Sequence, residues 1–325
     1  MHESGSPATI TPARQLHFVL VGPRRAGTTL LRLLLNNHPS IACVGEFEEA
    51  VSQVRDQTWP DLAEFCLYLS QDRPFLSKSV TLDASIENYP ALIRSIWDQL
   101  AARENKPLVG CCIHSRIDRV RDIWPSTKFI FLSRDPRDVT RSCVGMGWAG
   151  EPTSAADQWL EPVDRWIAMR DTLVTEDFIE VRYEDLLTNP KHELDRCCQL
   201  LGHSFDPAML DFHETSTYEP LDPKLAEQWR RKMPPRIAEI IDATCRDRMS
   251  VLGYELSTPN PRPASSSEAL RLKIANRIGR FRWRAKRYGL LLTLSWILAK
   301  RLHMSNPWRT KLKSRFNAID TKHLR

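Results

Sequence analysis

Short apolar runs punctuate the first two thirds of the chain, each bounded by polar or turn-forming residues. Leu16–Val21 stops at Gly22-Pro23, and Leu108–Ile113, Lys128–Ser133 and Phe178–Arg182 are similar in length and rich in β-branched or aromatic side chains. Runs of that kind predict buried strands. Between them, apolar positions recur at helical spacing over residues 28–37, 86–102, 136–144, 155–173 and 185–201. Strand and helix therefore alternate, which predicts an α/β fold in three layers, with a central parallel β-sheet flanked by helices.

After residue 256 the pattern changes. Residues 257–267, reading STPNPRPASSS, form a Pro- and Ser-rich linker. Residues 268–325 then read as a basic amphipathic helical extension, with one long helix over 268–302 that is basic first and apolar at Leu290–Leu298. The division expected is thus a flexible N-terminus at 1–15, a main domain at 16–256, the linker and the extension. Charge follows it. The net charge of +6 hides 17 Lys and Arg against Glu268 and Asp320 in residues 262–325, while residues 1–261 carry an excess of Asp and Glu. Such a tail suits peripheral contact with an anionic membrane surface or self-association; nucleic acid ranks last, because no recognised nucleic-acid fold accompanies the charge. Eight cysteines without a C-x-x-C pair read as free thiols in a reducing compartment. No basic and apolar leader opens the chain, and no run is long enough to span a bilayer, so the expected location is cytoplasmic, with the membrane surface as the alternative.

The chemistry begins at the first strand. Gly22-Pro-Arg-Arg-Ala-Gly27-Thr28-Thr29 joins it to a helix, so backbone N–H groups point at an anion at the positive end of that helix. The glycine spacing is P-loop-like, but Thr28 stands where a Walker A lysine belongs, and the positive charge sits instead on Arg24 and Arg25. Likewise, the strand at Phe129–Leu132 runs into Ser133 and Arg134 rather than a Walker B aspartate that could hold Mg²⁺. Arg134 leaves the end of that strand and Ser142 follows about two helical turns later, a placement that lets both converge on a second anion.

Together these motifs resemble those of the sulfotransferases that use 3′-phosphoadenosine 5′-phosphosulfate (PAPS), in particular the bacterial and tyrosylprotein-like branches, over roughly residues 16–255. Arg25-Ala-Gly-Thr-Thr-Leu-Leu-Arg32 is similar to the family's 5′-phosphosulfate loop, with Ala26 in place of serine. Phe129–Val139 is similar to its 3′-phosphate motif, and Val181-Arg-Tyr-Glu-Asp-Leu186 to its Y-E-D-L stretch. The resemblance implies that Arg24, Arg25, Ala26, Gly27, Thr28, Thr29 and Leu30 bind the phosphosulfate, that Arg134 and Ser142 hold the 3′-phosphate, and that Tyr183 lies near the nucleotide. It implies PAPS as co-substrate, the desulfated nucleotide PAP as product, no metal, and a hydroxyl-bearing acceptor: a small molecule, a saccharide, a lipid or a protein tyrosine.

In-line sulfuryl transfer needs a base for the acceptor's proton and cations or N–H groups for the charge that builds on the leaving phosphate. Arg25 is the electrostatic clamp. Two residues compete for the base. Glu46 lies, after His38-Pro39, where the tyrosylprotein-like branch places its glutamate; His114 ends the second strand, on the side where a parallel sheet presents ligands. The family's usual bacterial lysine before the 3′-phosphate strand is missing, and Lys78 and Arg116 are candidates to replace it. Gly145–Gly150 reads as a flexible loop able to close over an acceptor, whereas Trp159 and Trp166 read as core. The rival readings are a kinase with a degenerate phosphate loop, which would need Mg²⁺ and ATP, and a noncatalytic membrane-associated nucleotide-binding protein.

Overall fold

The computed structural model describes residues 14–301 and 306–321. Packing divides the chain into two units, Met1–Arg134 with Glu161–Ala226, and Asp135–Leu160 with Glu227–Arg325.

The first unit holds a sheet of strands β1 (Phe18–Val21), β2 (Ile41–Glu46), β3 (Leu108–Cys112), β4 (Lys128–Ser133) and β5 (Phe178–Arg182), all parallel, in the order β2-β3-β1-β4-β5. The predicted strands are present. β2 is additional: its apolar run stops at Val44, ahead of Gly45-Glu46, so its signal is weak, and its pairing with β3 is irregular between Cys43 and Glu46. Alternate residues face alternate sides, as a strand requires. On one side Phe18, Leu20, Ile130, Leu132 and Val181 join Leu31, Leu34 and Leu35 of the helix Thr28–Asn36, together with Leu186, Leu194 and Cys197 from the segments after β5. On the other side Phe131 stacks on Trp166 with ring centroids 4.7 Å apart, and the Trp166 Nε1–H donates to Glu180 at 2.6 Å. A helical layer thus covers each face, the three-layer arrangement expected.

The second unit is built around a buried arginine. Arg137, 1% exposed, donates to Asp135 at 2.6 and 2.8 Å, pairs with Asp242 at 3.2 Å, donates to the Glu255 carbonyl and lies 3.6 Å from the Trp229 ring centroid. Asp135 also caps the helix Pro136–Gly145 by accepting from the Arg137 backbone N–H. Charges buried this deeply persist only when paired and hydrogen-bonded, as here.

The Pro/Ser-rich segment is strapped to the helix Pro235–Val251. Arg236 donates to the carbonyls of Arg262 and Pro263 and to the carboxylates of Glu239 and Glu268, while Ser257 donates to Asp242. Arg236 holds the Glu239 carboxyl down to about 2 from an ordinary 4.5, so this tie is fully present above the ordinary value and is lost only as pH falls towards 2. The extension is not one long helix. Ser266–Tyr288 opens with a capping box from Ser265 and Glu268, and Gly289, at φ +86°, separates it from Leu290–Arg301.

Gly145–Gly150 differs from the expected lid. The Gly150 N–H donates to Asn276 at 2.7 Å, and the Trp283 indole N–H donates to the Gly145 carbonyl at 2.9 Å. A Cβ on Gly150 would fall 2.0 Å from the Asn276 carbonyl oxygen, and one on Gly279 would fall 2.1 Å from the Gly150 oxygen. These glycines let the loop and the helix Ser266–Tyr288 touch backbone to backbone.

Replacing Arg137 by Met should remove the cation that the buried Asp135 and Asp242 share and destabilise the protein by roughly 3–5 kcal/mol. The midpoint of urea unfolding, with the slope unchanged, reads this directly; an unshifted midpoint would show that the two carboxylates find other partners.

Candidate active site

β1 delivers the chain into a tight loop. The Ala26 N–H donates to the Pro23 carbonyl at 3.0 Å, and Arg25, at φ +72°, adopts a left-handed conformation that side-chain-bearing residues rarely take. Strain of that kind concentrates at ligand sites. Arg24, Arg25 and Thr29 are exposed; Ala26, Thr28 and Leu30 are buried. Gly27 is the N-cap of the helix Thr28–Asn36, and no side chain caps it. The first-turn N–H groups therefore have no side-chain acceptor and suit an anion.

Gly27 is also where the loop meets a second motif. A Cβ at this position would stand 2.4 Å from Cδ2 of Tyr183, the first residue of the helix Tyr183–Thr188, and the φ of +106° adds a backbone reason for glycine. The guanidinium of Arg134, at the end of β4, lies 4.1 Å from the centroid of the same ring and donates to the Leu225 carbonyl at 3.3 Å. Loop, Tyr183 and Arg134, far apart in sequence, thus share one ring. Ser142 lies in the second unit, half-buried on the helix Pro136–Gly145.

The two candidate bases also meet. His114 follows β3 and is 8% exposed; its Nδ1 is 2.9 Å from the Gly22 carbonyl, which can only accept, so Nδ1 carries the hydrogen and Nε2 of the neutral ring is left as an acceptor. Nε2 faces Glu46 Oε1 at 3.9 Å. The Glu46 carboxylate, at the end of β2, is 71% exposed and open to a substrate. The His114 backbone N–H donates to Glu48, which also accepts from the Ser115 hydroxyl. In the sequence Glu48 is only a neighbour of Glu46; folded, it fixes the backbone of His114.

The two proposed stand-ins for the missing lysine are engaged elsewhere. Lys78 donates to both oxygens of the buried Glu49 carboxylate, at 2.6 and 2.7 Å, and to the Glu46 carbonyl at 2.8 Å. Arg116 donates to the carbonyls of Val54 and Asp56 and pairs with Asp118. Lys78 thereby positions the Glu46 backbone. Behind Glu46, Cys43 and Cys112 sit with sulfurs 3.9 Å apart, and the hydrogen bond to Cys43 together with burial pushes the Cys112 thiol well above its ordinary value. It stays a neutral core thiol rather than a nucleophile.

Residues 18–207, more than half of the chain, match the family described as Sulfotransferase family. The chain belongs to the sulfotransferase family. Among curated relatives it is 26% identical over 209 residues to a putative protein-tyrosine sulfotransferase of Caenorhabditis briggsae, covering 62% of this chain and 70% of the relative. Among solved structures it resembles the sulfotransferase domain from the curacin biosynthetic pathway, with a TM-score of 0.54 and 18% identity over 75% of this chain and 99% of that one. The sulfotransferase domain from the Synechococcus PCC 7002 olefin synthase gives 0.53 and 19%, over 78% and 100%. These two likenesses concern the fold, and they agree with the parallel sheet and helical layers of this sulfotransferase. Family membership bears out the expected enzyme class and disfavours the kinase and noncatalytic readings.

Gly27→Ala should cost more than the roughly 1–3 kcal/mol of backbone strain alone, because it also drives a methyl group into Tyr183. In a double-mutant cycle with Tyr183→Ala, followed by thermal unfolding, the pair should be less destabilised than the sum of the singles. Strict additivity would mean the ring and residue 27 do not touch.

Proposed function

We propose that this sulfotransferase moves the sulfuryl group of PAPS to a hydroxyl acceptor, with the loop Arg24–Leu30 and Arg134 as the nucleotide's anion sites and Glu46 with His114 as the base. The observation that carries the reading is the shared contact on Tyr183, which sets a loop of uncapped N–H groups and an arginine around one ring. The residues fit the group: the first turn of Thr28–Asn36 offers donors and a positive dipole end, Arg25 adds a permanent cation, and Tyr183 and Arg134 offer a flat surface and a charge for a nucleoside phosphate. Ser142 joins Arg134 in this proposal on its sequence motif alone.

In the proposed step the acceptor oxygen forms a bond to sulfur as the sulfur–oxygen bond to the 5′-phosphate breaks. The negative charge left on that phosphate is met by Arg25 and the loop N–H groups. The acceptor's proton passes to the Glu46–His114 pair. The Gly22 carbonyl faces Nδ1 of His114, which leaves Nε2 as the ring atom turned towards Glu46. The acceptor itself is proposed only as a hydroxyl; the relative named for protein tyrosine makes tyrosine peptides the first to screen.

Calorimetry should show PAP binding without divalent metal, and ATP with Mg²⁺ binding far more weakly; the reverse order would defeat the proposal. Arg134→Ala should weaken PAP by about 1.5–3 kcal/mol, or roughly ten- to hundredfold, by removing a charge-assisted partner. Unchanged affinity would remove Arg134 from the site.

For the base, Glu46→Gln and His114→Gln should each lower kcat by roughly 10² to 10⁴ while sparing PAP affinity, and the double variant should be little worse than either single. Multiplicative losses would show two independent roles.

A further inference from the structure

Within the second unit the helix Ser266–Tyr288 turns one side to the loop Gly145–Gly150 and another to solvent. Asn276, Gly279 and Trp283 make the contacts with Gly145–Gly150. On other faces Leu270, Ile274 and Ile278 are 60, 49 and 46% exposed and recur at every fourth residue, so they form one stripe. At 3.6 residues per turn, Arg271 and Arg282 flank this stripe on one side and Lys273, Arg277, Arg280 and Arg284 on the other. After Gly289 the theme continues without charge: Leu290, Leu291, Leu294 and Leu298 are exposed on the next helix. Both carboxylates of residues 262–325 are engaged, Glu268 by Arg236 and Asp320 by Arg287 and Tyr288, so neither balances the basic flanks.

We infer that this face is an interfacial anchor that docks the enzyme on an anionic lipid bilayer, with Leu270, Ile274 and Ile278 entering the acyl boundary and the flanking arginines and lysines meeting headgroup phosphates. Charge selects the occupant. A second copy of the chain would bring two strongly basic tails together, at a cost in repulsion. Nucleic acid would satisfy the arginines but offers nothing to a leucine-rich helix that is uncharged from Leu290 to Ala299. An anionic bilayer satisfies both components. None of the described helices is long and apolar enough to cross a membrane, which agrees with an anchor lying on the surface. The inference does not depend on the reaction assigned to the site.

Flotation of the full chain with phosphatidylcholine vesicles, with and without phosphatidylserine, tests this. Binding is expected only with the anionic lipid and should weaken about fivefold for each of Arg271, Lys273, Arg277 and Arg280 changed to Gln. Changing Leu270, Ile274 and Ile278 to Ser should abolish retention while circular dichroism and thermal unfolding stay unchanged. Absence of binding to anionic vesicles, full retention of the Ser variant, or tighter binding to duplex DNA than to the vesicles at equal salt would each overturn the proposal. So would self-association that the Ser variant abolishes in lipid-free buffer without wild-type capture by vesicles.

Discussion

A single aromatic ring constrains the candidate active site of this molecule. Tyr183 leaves no room for a side chain at residue 27, so the loop after β1 must be glycine at its helix junction, and the ring's face is where Arg134 rests. The loop, the end of β4 and the residue after β5 are brought together because parallel strands deliver their carboxyl ends to one edge of the sheet. Moving the ring would disturb both basic elements at once.

Much of this was legible in the chain. The apolar runs located β1, β3, β4 and β5, and the glycine spacing of the loop, read with its flanking strand and helix, marked a candidate anion site. β2 was not legible, because its apolar run stops at Val44 and closes on glycine and glutamate. With it was hidden the meeting of Glu46 and His114, which exists only because β2 lies beside β3. The engagement of Lys78 by Glu49 was equally invisible, since it joins residues on separate segments through a buried carboxylate. Gly145–Gly150 shows the opposite failure: its composition says flexible, yet Gly147 and Gly150 serve close approach.

Electrostatics divides the molecule along the sequence in a way that the net charge conceals. The acidic excess lies in residues 1–261 and the basic excess in the tail, and the tail's two carboxylates serve as structural ties. Arginine takes two distinct roles. Arg137 is sealed inside and held by two aspartates, whereas Arg271, Arg277, Arg280 and Arg282 are exposed to water. The first kind organises a core; the second leaves a field for partners.

The contact between Gly150 and Gly279 bears on how the chain tolerates shortening. Where two backbones meet without side chains, nothing nearby can swing in to replace a lost partner. Ending the chain at the Pro/Ser-rich segment would strand the Gly150 N–H and the Gly145 carbonyl and uncover the loop between them. The appendage can therefore be recharged at its surface one residue at a time, whereas removing it hands the Gly150 N–H and the Gly145 carbonyl to water.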